Sequence, residues 1–125
     1  MRPTAPVVML ALLFVVSGLM HFVAPAYFLR IVPSWVPNPT LAVTLSGAAE
    51  LAGAIGLLVP ATRALAGWGL IVLLAAVFPA NVYMLQQARV GHASTAWLLG
   101  LWLRLPLQPL LMWWVWRSAI RRPAR

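Results

Sequence analysis

Four long apolar stretches set the pattern of the chain: Val7 to Val23, Leu41 to Val59, Ala64 to about Gln87, and Ala96 to about Trp116. At a rise of about 1.5 Å per residue, each spans a hydrocarbon core of roughly 30 Å as a helix. The breaks between them are chemically marked. Pro3 and Pro6 precede the first stretch and Pro25 follows it, Pro37 and Pro39 precede the second, and Pro60 ends it. Proline belongs at helix starts and just past helix ends, because it lacks the N–H that an interior position needs. Arg63, then Gln86, Gln87 and Arg89, bound the third stretch, and the polar turn Gly91 to Thr95 precedes the fourth. These breaks are too short to hold a further domain. The pattern predicts an all-α membrane protein: a single domain over residues 1–125, folded as a four-transmembrane-helix bundle with spans of about 7–23, 41–59, 64–87 and 96–116. Between the first two spans, Ala26 to Val36 sets Tyr27, Phe28, Arg30 and Trp35 among aliphatics, which predicts a short interfacial segment lying at head-group level.

Composition closes the soluble alternative. Hydrophobic residues make up 63% of the chain and charged residues 8%, with one acidic residue in 125, so no charged aqueous surface can be built. The nine basic residues are all Arg and give a net charge of +8. They lie between apolar runs and at one end, which points to membrane lipids and not to nucleic acid as the anionic partner. Cysteine is absent, which removes disulfides, thiolate metal ligands and the thiol chemistry of four-helix quinone reductases. Arg2 before the first span and Ala24-Pro25-Ala26 after it imitate a secretory signal, but the apolar run exceeds a signal core and the span is read as retained. Arg2, Arg63, Arg117, Arg121, Arg122 and Arg125 fall on one side of the membrane, and Arg30 and Arg89 on the other. That asymmetry predicts a multi-pass protein of the cell membrane with both termini cytoplasmic. Trp113, Trp114 and Trp116 beside Arg117 suit the cytoplasmic interface.

Polar residues within the spans carry the remaining information, since a charge in hydrocarbon costs at least roughly 2.5 to 3.5 kcal/mol. Glu50 and Arg104 fall about 13 and 12 Å from the same face by helical rise, a depth at which they can pair as a structural or a functional unit. Asn81 falls at about 9 Å, and Gln108 one turn beyond Arg104. Ser46, Gly47, Gly53 and Ala54 surround Glu50 with small side chains, and Ser17 and Gly18 precede His21 as Ser46 and Gly47 precede Glu50. Small residues mark helix contacts in membranes, so the first two spans should touch there, with His21 and Glu50 on one vertical path. Pro79, Pro106 and Pro109 free the carbonyls of Ala75, Trp102 and Leu105 beside the same layer, and freed carbonyls in lipid need a neighbour, water or a ligand. The predicted ligand-binding layer is therefore His21, Glu50, Asn81, Arg104 and Gln108, supported by Ser17 and Ser46. No metal site is expected, and neither bis-histidine haem nor a phosphate-binding glycine motif is encoded. His92 is a solvated loop residue on this reading.

In order and spacing, Gly18-Leu19-Met20-His21-Phe22 with Pro25, Ile31-Val32-Pro33 and Trp35, the run Ser46 to Gly53, Gly56-Leu57-Leu58, Pro60, Phe78-Pro79-Ala80-Asn81 and the run Leu101 to Gln108 resemble the DoxX family of small four-helix membrane proteins. The resemblance covers nearly the whole chain. It implies a four-helix bundle and an association with redox membrane complexes, since some members resemble a small subunit of thiosulfate:quinone oxidoreductase. The motif positions it carries over are His21, Glu50, Asn81, Arg104 and Gln108, while the lack of Cys sets aside any thiol-dependent role. Three functions follow as expectations. The first is an accessory subunit that binds a quinone or a lipid, with no cofactor of its own and with electrons from a larger redox partner. The second is a non-enzymatic scaffold subunit of a larger membrane complex, or a homo-oligomer. The third is a small-solute or proton-coupled carrier, for which 125 residues leave little room for alternating access. No residue constellation commits the chain to catalysis.

Overall fold

The computed structural model describes residues 2–121 and is built of helices joined by short turns. In chain order these are α1 (Ala5–Val23), α2 (Pro25–Leu29), α3 (Pro39–Leu58), α4 (Arg63–Val90) and α5 (Thr95–Val115), followed by a π-helical turn over Trp116–Ile120. Helices α1, α3, α4 and α5, the last extended by the π turn, are long and apolar enough to cross a membrane. Their ends lie within four residues of those read from the apolar pattern, and the chain is an all-α four-helix bundle. Large apolar side chains stand exposed on every long helix, as at Leu12, Leu45, Val72 and Leu103, a surface suited to lipid surroundings.

Local chemistry sets the helix ends. Asn38 Oδ1 accepts from Leu41 N at 3.1 Å and Ser94 Oγ from Trp97 N at 3.3 Å, capping the starts of α3 and α5. At the far end of α3, Thr62 Oγ1 donates to Gly56 O at 2.9 Å and Arg63 Nε to Leu57 O at 2.7 Å, so two side chains of the following turn satisfy carbonyls the helix leaves open. Arg63 thus helps to cap the C-terminal end of α3. The prolines at the starts of α1, α2 and α3 occupy positions whose N–H has no partner to lose.

For description, the upper end of the bundle is the one that carries α2 and the 91–94 turn, and the lower end carries both described termini and the 59–62 turn. Helix α1 packs on α3, α3 on α4 and α4 on α5. The α1–α3 seam is tight: a Cβ placed on Gly47 would lie 2.6 Å from His21 Cβ, and one on Gly18 3.1 Å from Gly47 O. Only glycine allows the two backbones this approach. The lower half closes around Val7, Leu10, Ala11, Phe14, Ala54, Leu57, Leu70, Leu74 and Val115. A second cluster in the upper half, Met84, Leu85 and Leu101 with Ile31 and Leu98 against it, joins α4 to α5 and to the segment after α2.

Candidate functional site

A cavity of about 490 Å³ lies in the upper half, above the apolar core and lined by all four long helices. That volume is in the range of small-molecule pockets. Helix α1 contributes Ser17 and His21 to its wall, α3 contributes Ser46 and Glu50, α4 contributes Asn81, and α5 contributes Arg104 and Gln108. Every polar residue selected from the sequence by depth and by desolvation cost faces this one space. Phe28, Ile31, Val32 and Pro33 cross its upper end.

Glu50 is the organising group. Ser17 Oγ donates to its two carboxylate oxygens at 3.0 and 3.2 Å, and His21 Nδ1 lies 3.2 Å from Oε2. The same Nδ1 sits 2.8 Å from Ser17 O. A carbonyl can only accept, so Nδ1 carries a proton and Nε2 is the nitrogen whose protonation changes the charge of the ring. The imidazole face stacks on Phe28 with centroids 3.8 Å apart and planes 16° from parallel. Residues 17 and 21 are one helical turn apart on α1, and the Gly18–Gly47 crossing brings both against Glu50.

Arg104 differs from the sequence expectation. At matching depth it was expected to pair with Glu50, but the carboxylate is taken by Ser17 and His21, and among the described residues Arg104 has no acidic partner. Its Nη1 donates only to Met84 Sδ at 3.7 Å, and Tyr27 Oη reaches the same sulfur at 3.9 Å. A thioether is a weak acceptor, so the guanidinium faces the cavity with its charge unmatched. Depth fixes height along a helix and not the direction a side chain faces, which is why depth alone mispaired these two residues.

Asn81 and Gln108 are tied to each other. Asn81 Nδ2 donates to Gln108 Oε1, and Gln108 Nε2 donates to Leu74 O. The amide of Gln108 thus has one donor and its acceptor committed to α4, beside the proline-interrupted stretch, although the carbonyl it reaches is that of Leu74 and not the Ala75 carbonyl freed by Pro79. Ser46 lines the cavity with no side-chain bond to Glu50 among the described residues. Sequence reasoning did not single out Met84 or the stacking of Phe28 on His21, since an apolar residue and an interfacial aromatic carry no signal of their own. His92 lies in the 91–94 turn, away from the cavity.

The described residues contain no group of three or more His, Cys, Asp or Glu placed to hold a metal ion. The chemistry available is one carboxylate–imidazole pair on the α1–α3 wall, one unmatched guanidinium on the α5 wall, and apolar surface between and below them. The family model for a domain of unknown function (DUF8561) matches residues 10–119. No curated protein and no solved structure matches the chain.

Proposed function

The chain belongs to that family of unknown function, DUF8561, and on the geometry of its cavity we propose that it is an accessory membrane subunit that binds a quinone or lipid-like amphiphile for a redox complex. The observation that carries this reading is Arg104, a guanidinium turned into an intramembrane cavity with a thioether as its only partner among the described residues. A charge so placed costs several kcal/mol unless an electron-rich group meets it, and a ligand carbonyl, phenolate or carboxylate oxygen is such a group. On the facing wall, His21 and Glu50 form a pair able to give or take a proton at a head-group oxygen. Asn81 and Gln108 hold α4 and α5 at the spacing that sets the cavity width. Electrons reach the ligand from a partner protein, because a chain without cysteine supplies no thiol or iron–sulfur centre of its own.

The resemblance to the DoxX family supports this reading and its placement in a redox complex. The arginine asymmetry supports an orientation with the lower end and both termini in the cytoplasm of the cell membrane. A scaffold role has one observation in its favour: the Ser17–Glu50 and Asn81–Gln108–Leu74 bonds each tie two helices together, as a purely structural layer would. Mass spectrometry of small molecules that co-purify in mild detergent separates the two. A quinone or defined lipid held by the wild-type protein and lost in both Glu50→Gln and Arg104→Met supports the binding subunit. An empty wild-type protein that unfolds when either residue is changed makes the layer structural.

A further inference from the structure

The four long helices do not form an evenly sealed ring. Helix α1 packs along α3, and each later helix on its predecessor, but α1 approaches the α5 side only at the lower end, through the π turn at Trp116–Ile120. Above that turn α1 and α5 have no comparable packing, and the cavity, lined by all four long helices, reaches the gap between these two. Two residues stand at its edge there. Leu13 on α1 and Leu107 on α5 both line the cavity and are 45% and 56% exposed, so each has one side toward the interior and one toward the surroundings of the bundle. They lie ten and twelve residues from the upper ends of their helices, about 15 and 18 Å down, which is mid-bilayer. Arg104 stands one turn above Leu107, and Ser17 one turn above Leu13, so the polar groups begin where this apolar edge stops.

We propose that the cavity is loaded sideways from the acyl-chain region, through the opening between α1 and α5, and that the apolar tail of its ligand remains in that opening beside Leu13 and Leu107 while the polar head lies between Arg104 and the His21–Glu50 pair. This rests on the cavity being a ligand site, as proposed above. The occupant is an amphiphile with one compact polar head and one long apolar tail. An aqueous solute has no reason to enter at acyl-chain depth, and the upper end is crossed by Phe28, stacked on His21, and by the buried Pro33. A quinone with an isoprenoid or alkyl tail fits both requirements.

The absence of cysteine makes the test clean. Two double variants, Leu13→Cys with Leu107→Cys and Ala42→Cys with Ala76→Cys, are each bridged by a short bismaleimide in lipid nanodiscs after loading with decylubiquinone. The first bridge closes the α1–α5 opening, and the second ties α3 to α4 on another side of the same cavity. The release rate into quinone-free vesicles is then followed, with monodisperse elution as the check on folding. The expected result is release slowed by about tenfold or more across the α1–α5 bridge, with the α3–α4 bridge leaving it unchanged. Release at the unbridged rate through a closed α1–α5 opening, or slowing by the α3–α4 bridge alone, overturns the proposed route while leaving the binding reading intact. Failure of the unbridged protein to hold decylubiquinone overturns the binding reading, and the route with it.

Discussion

The lower and upper halves of this bundle are made by the same four helices and differ in what fills the space between them. Below Glu50 the filling is apolar: Leu10, Leu57, Leu70 and Val115 are essentially fully buried, one from each long helix, in a single cluster. Above it the space is lined by two serines, a histidine, a carboxylate, two amides and a guanidinium, with apolar side chains between them. In lipid, helices gain little by hiding apolar surface from their surroundings, so close fit and the satisfaction of polar groups decide which helix stays beside which. The lower half supplies the fit. That lets the upper half keep a cavity and an unmatched charge without losing the arrangement of the bundle.

The largest test of this division falls on the lower half. Leu57→Ala empties a fully buried site on α3 and should cost about 3 kcal/mol, in the range of leucine truncations in packed interiors, read by thermal or denaturant unfolding in mild detergent. A cost below about 1 kcal/mol would mean the lower half does not hold the bundle. Next is Gln108→Leu, which takes away the acceptor of Asn81 and the donor to Leu74 O together. The expected cost is about 2 kcal/mol, since two polar groups lose their partners away from water. Arg104→Met acts on the upper half instead. With no acidic partner to orphan and an unmet charge taken out of the cavity, it should not lower the stability of the quinone-free protein, while weakening decylubiquinone binding at least about tenfold, or 1.4 kcal/mol, in a tryptophan-quenching titration. Equal stability losses in Arg104→Met and Gln108→Leu would erase the distinction drawn between a cavity-facing group and a helix-tying one.

Much of this was legible in the sequence, and the part that was not has one physical origin. The spans were readable because twenty-odd apolar residues between prolines and arginines leave no other structure open, and the α1–α3 seam because the Ser-Gly pairs 17–18 and 46–47 repeat at similar depth. The residues lining the cavity were readable too, because polar groups at membrane depth converge or are not tolerated. The pairing within that set was not. Counting residues along a helix gives height, whereas the Gly18–Gly47 crossing turns Ser17 and His21 of α1 onto Glu50 and leaves Arg104 of α5 alone. Likewise Gln108 looks ligand-facing by depth, but its amide is turned into α4. Azimuth depends on how closely each pair of backbones approaches, and for α4 and α5 no residue pattern announced it.

The smallest expected effect concerns two glycines that a sequence alone treats alike. Gly47 sits in the α1–α3 seam and Gly100 on α5 in the upper half, where a Cβ would meet nothing within 4 Å. Alanine is the better helix former by up to roughly 1 kcal/mol because glycine loses more backbone freedom on folding. At Gly100 nothing opposes that gain, so Gly100→Ala should raise stability by a few tenths of a kcal/mol, or roughly one degree in a melt of the detergent-solubilised protein. At Gly47 the same methyl must displace His21 Cβ, which belongs to the helix wall and not to the loose end of a side chain, so Gly47→Ala should lower stability and disturb the His21–Glu50 contact with it. If the two substitutions shift unfolding in the same direction, α1 and α3 have room to separate. The carboxylate–imidazole pair would then be held by something other than the seam, and the division between a tight seam on one side of the cavity and an opening on the other would fail.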